Sequence, residues 1–95
     1  MTIYIGLDVH SKLTVYCAQN AEGKIIAQSQ VATNPAGIDH LIQSLQLPAA
    51  TPIALESGTQ AVWLSRLLEE RHMNPVVVSA REVRNKARNK RQKSD

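Results

Sequence analysis

Alternating apolar and polar positions in the first third of the chain predict three β-strands. Residues 2–8 place isoleucine and leucine side chains on one face of an extended chain and end on an acid. Residues 13–19 are rich in β-branched and aromatic residues, and residues 25–32 form a third strand-like segment. The segment 20–24, with Gly23 near its tip, is typical of a turn. Short connections of this kind predict an antiparallel meander.

The hydrophobic period lengthens after residue 32, and this change predicts a helix over residues 33–47. Thr33 or Asn34 is suited to cap this helix, and Pro35 suits its first turn. The apolar stripe that we expect to face the core comprises Ile38, Leu41, Ile42 and Leu45. An amphipathic helix therefore follows the meander.

A second strand–helix unit and a fifth strand come next. Residues 53–57 are typical of a short apolar strand, and residues 58–72 carry a second helical stripe. The side chains that we expect this helix to bury are Val62, Trp63, Leu64, Leu67 and Leu68. Residues 74–79 are largely apolar, which favours a strand that is parallel and central in the sheet. We expect a third helix from Arg81 onward.

The predicted order is β-β-β-α-β-α-β-α within one α/β domain. Helical crossovers make the first, fourth and fifth strands parallel, whereas the first three strands are antiparallel. A mixed sheet with this order is the ribonuclease H-like, or RuvC-like, arrangement. We therefore predict a partial ribonuclease H-like domain over residues 1–95, with a basic, helical C-terminal segment at 80–95. Fold alone does not assign an activity.

Composition narrows the class of protein. The chain has 95 residues, 43% of them hydrophobic, which suits one globular domain with its own core. No apolar run reaches the roughly 20 residues that span a bilayer, and no signal peptide is evident. The single cysteine, Cys17, offers neither an internal disulfide nor a zinc cluster, so we expect it to be a small core residue. These features predict a cytoplasmic protein without a membrane partner.

Charge is distributed unevenly along the chain. Residues 1–80 contain four Lys/Arg and six Asp/Glu, whereas residues 81–95 contain seven Lys/Arg and two Asp/Glu. The basic residues on or beside one face of the predicted third helix are Arg81, Arg84, Lys86, Arg88, Lys90, Arg91 and Lys93. Such a stripe binds a nucleic-acid backbone by charge, without reading its sequence. We predict nucleic-acid binding here, the alternative being a solvated chain end.

Two acids lie at the ends of strands that are predicted to be parallel neighbours. Asp8 ends the first strand and Glu56 ends the fourth, and the carboxyl ends of parallel strands meet at one edge of a sheet. Gly6 and Ala54 each lie two positions before an acid, so small residues leave room on the same face. Each acid alone has an ordinary explanation, as a turn cap at Asp8 or as a helix N-terminal acid at Glu56.

Neighbouring carboxylates repel each other, and a bound Mg²⁺ or Mn²⁺ relieves this repulsion because hard cations prefer carboxylate oxygens. Two such ions can activate a water or hydroxyl and stabilise the leaving oxygen in phosphodiester cleavage. We therefore predict a divalent-metal site at Asp8 and Glu56. His10 and Lys12 follow the first acid, and we interpret them as candidates for contact with a nucleic-acid phosphate.

Several motifs occur together in a recognisable order. They are GLDVHS at 6–11, ALESG at 54–58, WL at 63–64, VVV at 76–78 and KSD at 93–95. With them, residues 3–95 resemble the N-terminal domain of DEDD-type transposases of bacterial insertion sequences. That domain is similar in fold to the RuvC Holliday-junction resolvase.

The resemblance implies that Asp8, Glu56 and Asp95 are catalytic and bind divalent metal as the first three acids of a tetrad. The fourth acid normally follows one helical turn later, so the resemblance implies a fragment that is inactive on its own. Members also use a C-terminal domain with a serine that acts in strand exchange, and a structured RNA that pairs with DNA. The implied partners are DNA, a guide RNA and that domain, with a nucleoid location in a bacterial cytoplasm.

Two other functions are compatible with the sequence. One is a fragment of a sugar kinase or actin-like ATPase, which also places an Asp after an apolar first strand. Those proteins need a glycine to cradle phosphate at the position of His10, which argues against this class. The other is a fragment that only binds nucleic acid or self-associates, as a homodimer through an exposed sheet edge or helix face.

Overall fold

The computed structural model describes residues 2–79, which form one five-stranded mixed sheet and two helices. The strands are β1 (Ile3–Val9), β2 (Leu13–Asn20), β3 (Ile25–Ala32), β4 (Pro52–Glu56) and β5 (Asn74–Val78). The helices are α1 (Pro35–Ser44) and α2 (Ala61–Glu70). Within this part of the chain, neither helix has the length and apolar character needed to cross a bilayer.

Strand pairing follows the predicted topology. The sheet order is β3-β2-β1-β4-β5, with β1 antiparallel to β2 and β2 antiparallel to β3. β1 pairs in parallel with β4, and β4 in parallel with β5. The first seven predicted elements are therefore present in a mixed sheet that is consistent with a ribonuclease H-like fold. The predicted third helix lies outside the described residues.

Alternation along the strands gives the sheet one covered face and one open face. Ile5 and Leu7 of β1 pair with Ile53 and Leu55 of β4, and all four are at most 8% exposed. They share one core cluster with side chains of both helices, namely Ile38, Leu41, Ala61, Leu64, Leu67 and Leu68. Right-handed crossovers place both helices on this covered face. Tyr4, on the opposite face of β1, is 46% exposed.

Local sequence explains where α1 begins. The Asn34 side-chain oxygen accepts a hydrogen bond from the Gly37 N–H at 2.8 Å. Pro35 occupies the first turn, where its missing N–H leaves no hydrogen bond unmade. Of the two predicted capping residues, Asn34 is therefore the one that caps the helix.

Three predictions about position or burial were wrong. β5 lies at an edge of the sheet rather than its centre, since within residues 2–79 it pairs only with β4. Val62 is 60% exposed, because the phase of α2 turns Leu64 and Leu68 into the core instead. Cys17 is half-buried outside the core cluster, because it pairs with Gly6 on the open face. Strand and helix patterns alone did not determine these orientations.

Gly37 allows α1 to approach the end of β3 closely. A Cβ atom at this position would collide with the backbone oxygen of Ala32, which would force the backbone to move. Helix propensity favours alanine over glycine inside a helix, so the close packing against Ala32 explains the glycine at position 37.

We expect Gly37→Ala to lower the free energy of unfolding by about 1–3 kcal/mol, because the added methyl overpacks the α1–β3 contact. Gly58→Ala is the matched control, since nothing lies within 4 Å of a Cβ at that position. Urea unfolding of both variants measures the effect. A Gly37→Ala chain as stable as the wild type would contradict the close contact.

An ion pair joins α1 to the residue that follows α2. The Arg71 guanidinium donates hydrogen bonds of 2.7 and 3.3 Å to the two carboxylate oxygens of Asp39. These hydrogen bonds hold the pKa of Asp39 below its ordinary value against a smaller opposing effect of desolvation, and the charge of Arg71 adds to the lowering. Both side chains are partly exposed, so solvent screens the pair.

The lowered pKa predicts a pH-dependent contribution to stability. Asp39 stabilises the fold above its unfolded pKa, and this stabilisation is lost as pH falls through the folded pKa. Asp39→Asn and Arg71→Gln should therefore each reduce the loss of stability on going from about pH 6 to about pH 2. Urea unfolding across this range measures it, and equal acid sensitivity in all three proteins would refute the prediction.

Candidate functional site

Asp8 and Glu56 lie at the same edge of the sheet, on neighbouring parallel strands. The β1–β4 register pairs Leu7 with Leu55, and each acid is the next residue of its strand. Both acids are exposed, and both line the same two surface depressions. Parallel pairing thus brings together carboxylates that lie 48 positions apart in the chain.

Small residues keep the open face beside these acids free. Gly6 pairs with Ala54, and both lie two positions before an acid on the same face of the sheet. No atom lies within 4 Å of a Cβ built on Gly6. The resulting depression has a volume of about 440 Å³. Its other side-chain walls include Val15, Cys17, Gln28 and Val78.

A second depression, of about 350 Å³, extends from the two acids over the start of α2. Residues 57–60 and His10 line it together with the acids. The Ser57 N–H donates a 2.7 Å hydrogen bond to the Val78 carbonyl, which ties the beginning of this loop to β5. The acids therefore stand between two open spaces, one above the sheet and one above the start of the helix.

The structure places His10 beside Asp8. The distance from His10 Nε2 to Asp8 Oδ2 is 3.1 Å. The two side chains are 63% and 71% exposed, so solvent screens their interaction and each stays accessible to a ligand. His10 thus contacts an acid of the candidate site directly.

Lys12 lies two residues further on in the exposed turn between β1 and β2. Its carbonyl oxygen accepts a 2.9 Å hydrogen bond from the Thr33 N–H. The Thr33 hydroxyl also donates to the carbonyl oxygen of His10. Sequence reasoning interpreted Thr33 only as a candidate helix cap, because a contact with a distant turn leaves no local signal.

The third acid and the basic stripe predicted for the site are not tested by the described part of the chain. Among residues 2–79, no three His, Cys, Asp or Glu side chains form a group that could hold a metal ion. Asp95 lies outside the described residues. The predicted basic stripe, formed by Arg81, Arg84, Lys86, Arg88, Lys90, Arg91 and Lys93, also lies outside them.

The donor atoms present favour a hard cation. Asp8 and Glu56 offer carboxylate oxygens, which are the ligands that Mg²⁺ and Mn²⁺ prefer. His10 offers the one nitrogen ligand in contact with these acids among residues 2–79, and imidazole suits softer metals better. Asp8 and Glu56 therefore offer two oxygen donors of the kind that Mg²⁺ prefers.

Trp63 packs against the core, as predicted. It also contacts Gln60, a residue that lines the second depression. Its indole N–H donates a hydrogen bond to the side-chain oxygen of Gln60, and Gln60 lines the second depression. Trp63 is half-buried against the hydrophobic cluster. The indole therefore fixes the Gln60 side chain at the wall of the site.

Comparison with known proteins adds a separate line of observation. A family model described as a transposase, DEDD_Tnp_IS110, matches residues 5–95. The matched range includes both acids of the sheet edge and the whole basic segment. A search of curated proteins gives no match.

Proposed function

This chain belongs to the DEDD_Tnp_IS110 family of transposases, and from that membership we propose that it acts on DNA through a divalent-metal site at its sheet edge. The proposed chemistry is metal-dependent cleavage and transfer of DNA strands during transposition. Mg²⁺ or Mn²⁺ is the proposed cofactor. Asp8 and Glu56 are its proposed ligands, with Asp95 as a third.

The single observation that carries this proposal is the placement of Asp8 and Glu56 on neighbouring parallel strands beside one open face. An acid that merely capped a turn or a helix would need no partner acid on the next strand. It would also need no small residue two positions before it. The arrangement instead supports a shared ligand for both carboxylates, at the edge where open α/β sheets bind ligands.

Each part of the site has a proposed role. A bound Mg²⁺ would supply Lewis-acid activation of a water or hydroxyl and would stabilise the leaving oxygen. Asp8 and Glu56 hold two oxygen donors at a spacing set by the strands. Gly6 and Ala54 leave room above the sheet for a phosphodiester. His10, whose Nε2 lies 3.1 Å from Asp8 Oδ2, is a proposed contact for a phosphate of the nucleic acid.

The basic segment has a proposed positioning role. Seven Lys/Arg in residues 81–95 would neutralise backbone phosphates and hold a nucleic acid over the two acids. Lys12, in the exposed turn after β1, is a further proposed phosphate contact. DNA is the proposed substrate, and a structured guide RNA is a second proposed partner of the same surface.

A second candidate function is nucleic-acid binding without cleavage. It is favoured by the concentration of seven Lys/Arg in residues 81–95, a composition that binds a phosphate backbone by charge alone. In this case the two acids would bind a metal weakly, and the basic segment would account for all affinity. Metal binding and nucleic-acid binding can be measured separately, so the two functions are distinguishable.

We expect Mn²⁺ to bind saturably to the wild-type chain and at least about tenfold more weakly to Asp8→Asn and Glu56→Gln, because each loses a charged ligand. Isothermal calorimetry and paramagnetic broadening of resonances near the acids measure the affinity. Glu22→Gln is the matched control, since it removes an exposed carboxylate from the β2–β3 turn. Equal affinity in all four proteins would refute the metal site.

We expect Arg84→Gln/Arg88→Gln to flatten the salt dependence of DNA binding, because fewer counterions are released. The slope of log affinity against log salt should shrink by about one for each phosphate contact removed. Lys24→Gln/Arg66→Gln removes the same net charge from exposed positions elsewhere and should change the slope less. Fluorescence anisotropy over a salt series measures the slopes, and equal slopes for both double variants would contradict the stripe.

A further inference from the structure

The turn between β1 and β2 follows directly after Asp8 and carries two other candidate residues. The His10 N–H donates a 3.0 Å hydrogen bond to the Leu13 carbonyl, which closes the turn. The carbonyls of His10 and Lys12 take no part in this closing bond. The hydrogen bonds that these two carbonyls accept determine how firmly the turn is held.

One residue provides both partners. The Thr33 hydroxyl donates a 2.7 Å hydrogen bond to the His10 carbonyl, and the Thr33 N–H donates a 2.9 Å hydrogen bond to the Lys12 carbonyl. Thr33 immediately follows β3, so it is 23 residues away from His10 in the chain. The connection from β3 to α1 therefore clamps the turn at two points.

A buried hydroxyl supports this clamp from within. Thr14 is fully buried, and its Oγ1 lies 2.8 Å from Thr33 Oγ1. The single hydroxyl proton of Thr33 is already donated to the His10 carbonyl, so Thr14 is the donor in this second bond. The two hydroxyls thus form a directed chain from the core of the sheet to the turn.

The Thr33 hydroxyl is not needed to cap α1. Asn34 caps α1, so the helix start does not depend on Thr33. Among residues 2–79, the hydroxyl contacts the His10 carbonyl and the buried Thr14 hydroxyl, and both contacts belong to the clamp.

We propose that Thr33 is a positioning residue that sets the location of His10 and Lys12 relative to Asp8. This inference rests on the proposed function, because the benefit of a fixed turn is a fixed contact with a phosphate beside the acids. Holding the backbone of the turn in the free chain reduces the conformational entropy that is lost when His10 and Lys12 contact a ligand. Thr33 contacts the carbonyls of the turn and acts only through them.

The first test uses the histidine ring signals of the full chain at one fixed pH. Thr33→Val keeps the shape of the side chain and removes the hydroxyl, whereas Thr33→Ser keeps the hydroxyl. We expect Thr33→Val to move the His10 signal, and Thr33→Ser to restore it. His40 and His72, exposed on other parts of the surface, serve as internal references and should stay in place. An unmoved His10 signal in Thr33→Val overturns the proposal.

The second test is a double-mutant cycle on the affinity for a short DNA duplex in Mg²⁺ buffer. Thr33→Val should weaken binding by about threefold to tenfold, as loss of a hydrogen bond would. In a Lys12→Gln background, the same substitution should have a smaller effect, because the side chain that it positions has gone. An equal effect in both backgrounds means that Thr33 is merely structural, and it overturns the proposal.

The two tests separate the inference from the proposed function. If the wild-type chain binds no duplex, the proposed function fails, and the histidine spectra alone then support or overturn the clamp. If the duplex binds and the His10 signal does not respond to Thr33→Val, the clamp fails and the proposed function stands.

Discussion

The parallel ladder between β1 and β4 is the constraint on which the rest of the structure depends. Its register aligns Gly6 with Ala54 and brings Asp8 and Glu56 to one edge. A shift of one residue would turn every β4 side chain to the opposite face, so core residues would meet solvent and Glu56 would leave the open face. Burial of the core therefore fixes the register, and the register fixes the site.

Much of this arrangement could be predicted from the sequence, because hydrophobic period and turn residues are local signals. The side-by-side acids followed from strand order and parallel direction. The edge position of β5 did not, since an apolar run does not identify its neighbours. Val62 and Leu64 are similarly apolar, and only the phase of α2 decides which is buried. The Thr33 contacts arise from tertiary proximity, which single-sequence patterns do not encode.

The hydrophobic core and the candidate site lie on opposite faces of the sheet. The helices and the hydrophobic cluster occupy one face, whereas Gly6, Ala54 and both acids border the other. Because the carboxylates are exposed, water screens their mutual repulsion, and the sheet can form without a counter-ion. Metal affinity at such a site would depend on the number and spacing of oxygen donors, and a metal that binds only the folded chain would stabilise it by mass action.

The two edges of the sheet differ in a way that bears on assembly. β3 has eight residues without proline, glycine or charge, and one register irregularity near its start. β5 has five residues and includes Pro75, which has no N–H to offer another strand. Short strands and proline are devices that discourage strand addition, and β5 carries both. A chain that extended this sheet would therefore add beside β3, on the side away from β4 and Glu56. Strand addition beside β3 leaves the carboxyl ends of β1 and β4, where Asp8 and Glu56 lie, accessible to the proposed DNA substrate.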